Sequence, residues 1–297
     1  MNGRMGRNTI GWGVCALCLG AISLVQPSAE ALIVVGGSLP RPDGAWVGRW
    51  NGSSGVAIGS RWVVSAGHVR GGAGSLFVMD GVSYPAKAVY FATGADLMLI
   101  ELHDTLPGWH VIADSLVPGT RVQMNGFGLV NGTVLAAGIQ WGTTTAESWG
   151  ENILDIVAPS YVSSRFDRLS NGGLPAECAA ATFDSGGGMF VRTESGSLRL
   201  VGIITSVDGS VGVTSYGNRT YGVNMTTQTA FVAGVVGPPC DGDANGDGIV
   251  DSDDITTVLE HWGEVVDPHT PGDTNGSGFV DFEDIMTVLW NWLELCE

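Results

Sequence analysis

The chain has 297 residues, 44% hydrophobic and 14% charged, with 46 Gly and 12 Pro. At roughly 150 residues per domain this length holds one large domain or two smaller ones. The low charge and high Gly content exclude a coiled coil or a long disordered tail and favour a loop-rich, mainly β body. The formal net charge of −17, from 13 basic and 30 acidic residues, argues against nonspecific nucleic-acid binding, which needs Lys and Arg against phosphates.

The first 31 residues read as an export signal. Arg4 and Arg7 form a positive start, an apolar stretch runs from Ile10 to Val25, and Ala29-Glu30-Ala31 gives a small-x-small cleavage pattern. The apolar run is short and interrupted, which favours secretion over a membrane anchor. The mature chain is expected to begin near Leu32, with no membrane span and a secreted or cell-surface location.

Short strands separated by turns follow. Strands are predicted at Gly55–Ile58, Trp62–Ser65, Leu97–Leu102, Val122–Phe127, Met189–Arg192 and Leu198–Thr205. Turns are predicted at Asp80-Gly81, Asn125-Gly126 and Asn131-Gly132. Such spacing over about 200 residues suggests one or two β-barrels or a sandwich.

Three short segments carry candidate chemistry. In Trp62-Val63-Val64-Ser65-Ala66-Gly67-His68-Val69 an apolar strand runs into small residues and then one of only five His in the chain. In Ala95-Asp96-Leu97-Met98-Leu99-Ile100-Glu101-Leu102 an Asp opens a strongly apolar strand. A carboxylate buried there needs a donor, and an imidazole N–H would serve. In Phe183-Asp184-Ser185-Gly186-Gly187-Gly188-Met189-Phe190 a Ser sits between an Asp and a Gly run, where backbone N–H groups can converge on a developing oxyanion.

The ordered set, His then Asp then Ser, resembles the trypsin-like (chymotrypsin-fold) serine proteases. His68 matches the family's Ala-Ala-His-Cys, Asp96 its Asp-Ile-Ala-Leu, and Ser185 its Gly-Asp-Ser-Gly-Gly-Pro. Leu200–Ser206 resembles the strand beside the substrate backbone, and Tyr221-Gly222-Val223-Asn224 the family's Pro-Gly-Val-Tyr. The resemblance covers about residues 32–234. It implies a mainly β double barrel and hydrolysis of a peptide substrate. His68 would act as base and acid, Asp96 would orient it, and Ser185 would attack. The N–H groups of Phe183 and Ser185 would form the oxyanion hole. Asp184 would pair with a buried cation. By the family's spacing the pocket for the residue before the cut has its base near Ala179, with Ser206, Val207 and Asp208 on one wall and Gly222 on another. The run of Ala179, Ala180 and Ala181 disfavours an Arg or Lys preference, unless Glu177 or Asp208 enters the pocket.

The chain departs from the family at several places. Phe183 replaces the oxyanion-loop Gly, and its side chain is expected to oppose the needed backbone conformation. The alternative reading is therefore an inactive protease-fold binding protein. Val69 stands where the family has Cys. Ile33-Val34-Val35-Gly36-Gly37 resembles the family's new N-terminus with one extra residue, and no Lys or Arg precedes it.

The charge shifts sharply near residue 240. Residues 240–297 hold 15 of the 30 acids and no Lys or Arg. A domain boundary is expected there, with 235–240 as linker and 241–297 as a second domain. Within it Asp243, Asn245, Asp247, Ile249, Asp251 and Asp254 recur 30 residues later as Asp273, Asn275, Ser277, Phe279, Asp281 and Asp284. Oxygen side chains fall at loop positions 1, 3, 5, 9 and 12, with Gly at 6 and a carbonyl at 7, the pattern of a Ca²⁺ loop. Apolar spacing after each loop predicts helix at Ile255–Leu259 and Ile285–Trp290. Asp at position 12 resembles type I dockerin repeats. That resemblance implies two Ca²⁺ sites in a small α-helical domain and a cohesin-type scaffold partner. Ser277 removes one charge from the second loop. Trp262, Trp290 and Trp292 are expected mainly in the small core, with a partner-binding face as the alternative.

Cys15 and Cys18 leave with the signal. Cys240 and Cys296 bracket the acidic segment and are expected to pair, leaving Cys178 free. A bond from Cys178 to either remains open.

Overall fold

The computed structural model describes residues 1, 32–194, 196–237 and 240–296. The predicted export signal and part of the predicted linker lie outside the described residues. Among the described residues, seventeen strands and three α-helices make the fold mainly β.

The first barrel is built from β2 (Val47–Trp50), β3 (Ser53–Gly59), β4 (Trp62–Ser65), β5 (Leu76–Met79), β6 (Val82–Phe91) and β7 (Met98–Leu102). These six close antiparallel in the order β2-β3-β4-β7-β6-β5. Runs such as Val63-Val64 and Met98-Leu99-Ile100 are buried on both faces. One face fills the barrel with Trp50, Phe77 and Ile100, and the other packs against the second barrel.

The second barrel uses β8 (Arg121–Gly126), β11 (Ser148–Val157), β12 (Tyr161–Arg165), β14 (Gly188–Arg192), β15 (Leu198–Val207) and β17 (Arg219–Asn224). Antiparallel pairing runs β11-β12-β17-β15-β14-β8, and β8 pairs back onto β11 to close the ring. Met124, Leu154, Val162, Met189 and Val201 fill it. A short β1 (Ile33–Val35) is attached through β13 (Glu177–Ala179). β9 (Leu129–Leu135), β10 (Gly138–Thr145) and β16 (Val213–Ser215) form a separate three-stranded sheet.

Between the barrels Val47, Val56, Leu99, Trp149, Phe190 and Leu200 share one cluster. His110 is buried beside it. Its Nε2 accepts the Trp46 N–H at 3.0 Å, and its Nδ1 lies 3.1 Å from the Leu198 carbonyl. This pairing needs the neutral ring with the proton on Nδ1. Burial pushes its pKa down to about 4.

Two predicted turns belong to strands instead. Asn125-Gly126 ends β8, where Asn125 is buried and donates to the Ser148 carbonyl at 3.3 Å. Asn131-Gly132 lies within β9, where the Asn131 amide caps both polar groups of Val34, at 3.0 and 2.6 Å. A Cβ on Gly126 would lie 2.0 Å from an Asp184 carboxylate oxygen. That glycine is there for close approach rather than for a turn.

Helix α1 (Thr229–Val236) runs into the predicted linker. Phe231, Val232, Val235 and Val236 pack against the inter-barrel cluster. It is apolar with no clear polar face, so no helical period marks it in the sequence.

The acidic segment carries α2 (Ser252–Glu260) and α3 (Phe282–Trp290), each after one loop. Each begins with a capping box, Asp251 with Asp254 and Asp281 with Asp284. A disulfide joins Cys240 to Cys296, with 5.8 Å between the Cα atoms, and Cys178 is free and buried. Four valines, Val250, Val258, Val280 and Val288, with Ala244, fill the small core. They leave no room for the three tryptophans, and Trp262, Trp290 and Trp292 are exposed, against expectation. Arg199 of β15 reaches Asp267 of this segment at 2.9 Å, and Gly246 lies against Ser60 at the β3–β4 turn. Among the described residues no helix is long and apolar enough to cross a membrane.

Candidate active site and paired acidic loops

β4 ends in a 3-10 turn at Gly67–Val69 that presents His68. Asp96 precedes β7, the strand paired with β4, so the register of β4 and β7 brings the two residues together. Ser185 lies in the loop between β13 and β14, across the barrel interface. His68 Nδ1 is 2.7 Å from Asp96 Oδ2, and His68 Nε2 is 2.9 Å from Ser185 Oγ. The His68 N–H also donates to Asp96 Oδ1 at 2.8 Å, so both carboxylate oxygens face this one residue. Asp96 has the imidazole donor that a carboxylate beside this strand would need, but it is not buried: its side chain is 42% exposed. It sits in the surface loop ahead of the strand, so only the apolar residues after it enter the core.

Phe183 adopts φ 77°. This is the left-handed region that glycine enters freely and a Phe enters at a cost. The side chain therefore does not exclude a glycine-like backbone here. The first barrel holds the loop from the other side. The Ser54 N–H donates to the Ser185 carbonyl at 3.0 Å. Ser54 Oγ donates to the Phe183 carbonyl at 3.2 Å while accepting the Phe127 N–H at 3.0 Å. Among the described residues neither the Phe183 N–H nor the Ser185 N–H is committed to a protein acceptor. Ser54 carries no motif, so the sequence offers no signal for its role.

Asp184 is fully buried. Ala181 N–H donates to it at 2.7 Å and Gly128 N–H at 2.8 Å, and the Leu32 N–H also faces it. Burial pushes its pKa up to about 7, against the pull of these three donors. Among the described residues Asp184 has no Lys or Arg partner. Leu32, the residue expected to start the mature chain, is itself buried beside it.

The cleft beside Ser185 has a volume of about 420 Å³. Asn51, Ser53, His68 and Val69 line it from the first barrel, and Ala180–Phe183 with Ile204–Val207 from the second. Ser206 and Val207, named from the sequence as one wall of the pocket, line this cleft. Ala179 does not line the cleft: it is buried in register with Ile33. Gly222 is interior on β17, against the Ile203 carbonyl, and Asp208 accepts from the Tyr221 hydroxyl at 3.3 Å, off the cleft. Glu177 turns away as well, accepting N–H groups of Asp167 and Leu174 at 2.9 Å. Its pKa is pushed up to about 7, first by burial. Among the described residues no acidic side chain lines the cleft.

The two acidic loops fold alike. Asp243 accepts from the N–H of Asp247 and Gly248, and Asp273 from those of Ser277 and Gly278, all at 2.9–3.1 Å. Asp254 bridges Asn245 and Asp251, and Asp284 bridges Asn275 and Asp281. Asp254, Asp273 and Asp284 are buried. Burial first, then Asp254 and Asp247, pushes the Asp243 carboxyl up to about 6. The segment supplies no Lys or Arg to its buried carboxylates, whose oxygens accept backbone N–H groups; a hard divalent cation would supply the missing counter-charge. The loops differ at position 5, where Ser277 Oγ donates to the Phe279 carbonyl at 3.0 Å.

Against known proteins, no family model and no curated protein matches this chain.

Proposed function

We propose that the chain is a secreted serine endopeptidase of the trypsin-like type. The hydrogen-bonded series Asp96, His68, Ser185, on the facing edges of two barrels, carries this reading. His68 takes the Ser185 proton as Oγ attacks the peptide carbonyl, then returns it to the leaving amine. Asp96 holds the proton on Nδ1, so that Nε2 faces Ser185 as a base. The N–H groups of Phe183 and Ser185 receive the oxyanion. A cleft without an acid favours a neutral or apolar residue before the cut. The alternative of an inactive binding protein rested on Phe183, and its left-handed backbone weakens that alternative. Mature protein is expected to cleave peptide amides with such residues, and Ser185→Ala protein is not. Uncleaved substrate with folded, mature protein would return the reading to a binding role.

The acidic domain, in this reading, is dockerin-like and tethers the enzyme to a cohesin-type scaffold or a cell surface. Asp243, Asn245, Asp247, the Ile249 carbonyl, Asp251 and Asp254 would hold one Ca²⁺. Asp273, Asn275, Ser277, the Phe279 carbonyl, Asp281 and Asp284 would hold the other. When bound, the ions neutralise the buried carboxylates. Calcium titration by calorimetry is expected to resolve two classes, and Ser277→Asp to tighten the weaker one roughly tenfold, the effect of about 1.4 kcal/mol. A titration unchanged by Ser277→Asp would remove the second loop from the assignment.

A further inference from the structure

Phe183 is costly for the fold in two ways. Its φ of 77° is strained for a side chain, and the residue stays 45% exposed where it lines the cleft. Glycine would remove both costs. A residue kept under strain at a reacting centre suggests a role for the side chain itself.

The position of the ring tells which part of a substrate it meets. The Phe183 carbonyl accepts from Ser54 Oγ of β3, so this second-barrel loop residue is held against the first barrel, at the cleft that Asn51, Ser53 and Val69 line from that side. His68 stands on the same side of Ser185. Because His68 Nε2 must deliver a proton to the departing amine, the leaving half of the substrate lies on this side. The acyl half lies toward Thr205, Ser206 and Val207. We propose that the Phe183 ring, with Val69, forms the apolar wall that selects the leaving half. The favoured substrates then carry a bulky apolar or aromatic residue directly after the scissile bond. This rests on the hydrolase reading above.

Acyl transfer isolates that subsite. A peptide ester acylates Ser185 and releases its alcohol. An added amino-acid amide then attacks the acyl carbonyl, forming a peptide bond as the bond to Ser185 Oγ breaks. His68 takes the amine proton and passes it to Oγ. The ratio of aminolysis to hydrolysis is measured for phenylalaninamide and glycinamide. Wild-type protein is expected to favour phenylalaninamide by roughly tenfold. Phe183→Gly and Phe183→Ala bring the ratio to within about twofold, and Phe183→Tyr retains it. Phe183→Gly also removes the backbone strain, so it tests the ring in a fold at least as stable. An unchanged ratio in Phe183→Gly, or a rise for phenylalaninamide, overturns the proposal. Failure to form any acyl-enzyme instead overturns the hydrolase reading, and this proposal with it.

Discussion

Ser185→Ala is expected to lower kcat by about 10⁶-fold and Asp96→Asn by about 10⁴-fold, both with unchanged circular dichroism. The Ser185 effect follows from removing the nucleophile. The Asp96 effect is a matter of tautomer. Asp96 Oδ1 accepts the His68 backbone N–H at 2.8 Å. An Asn at 96 keeps that bond only with its carbonyl oxygen in the same place. Its NH₂ group then faces His68 Nδ1, where Oδ2 now lies at 2.7 Å. A donor there forces the ring proton onto Nε2, toward Ser185 Oγ, and the base is lost. Asp96 is half-exposed and fills no core space, so the substitution leaves the fold intact. An Asp96→Asn protein retaining more than a tenth of wild-type kcat would show that His68 is not oriented this way.

A free amino group at Leu32 is expected to raise kcat/KM by about 100-fold over a chain that keeps residues before it, the effect of one lost oxyanion donor. Asp184 adjoins both proposed oxyanion donors in sequence and, among the described residues, its buried carboxylate has only N–H partners. In the chain as it stands one of those partners is the peptide N–H of Leu32. Cleavage at Ala31 would turn that amide into an ammonium and supply the missing counter-charge. The sign of the pH effect follows. Without the cation the folded pKa of Asp184 lies near 7, above the ordinary 3.8. Its contribution to stability is then full at low pH and is lost as pH rises from about 4 through 7. With the ammonium, Asp184 is ionised and paired, and stability and activity hold until the amine itself titrates. A free α-amine does so near about 8, and pairing raises that value. The Leu32-start protein should therefore lose activity on an alkaline limb that the extended protein lacks. Equal kcat/KM for the two N-termini would contradict this account of Asp184.

The sequence made the elements of this fold legible where chemistry and pattern coincide. β4 and β7 are mostly apolar runs, the first followed within three residues by His68 and the second preceded within two by Asp96, so strand and candidate site coincide in the sequence. The Asp-Gly and Asn-Gly pairs were ambiguous. Asp80-Gly81 does form a turn between β5 and β6. Asn125-Gly126 and Asn131-Gly132 serve packing between strands distant in sequence, which no local rule detects. Ser54 and Leu32 were illegible for the same reason. Their partners, Phe183 and Asp184, lie more than a hundred residues away and meet them only once both barrels close. The pocket prediction failed at Ala179, Asp208 and Gly222 because spacing along a chain fixes order, not which face of a strand meets the cleft. The duplicated acidic loops were plain at a 30-residue period, while the exposure of Trp262, Trp290 and Trp292 depended on how little volume their domain encloses.

The most direct measurement of the central claim is the mass of the mature protein after exposure to a fluorophosphonate, with peptide mapping of the adduct. An activated hydroxyl at Ser185 predicts one phosphonyl group per chain, located on Ser185 and absent from Ser185→Ala protein. Folded protein that starts at Leu32 yet gains no adduct, or gains one at another residue, would contradict it.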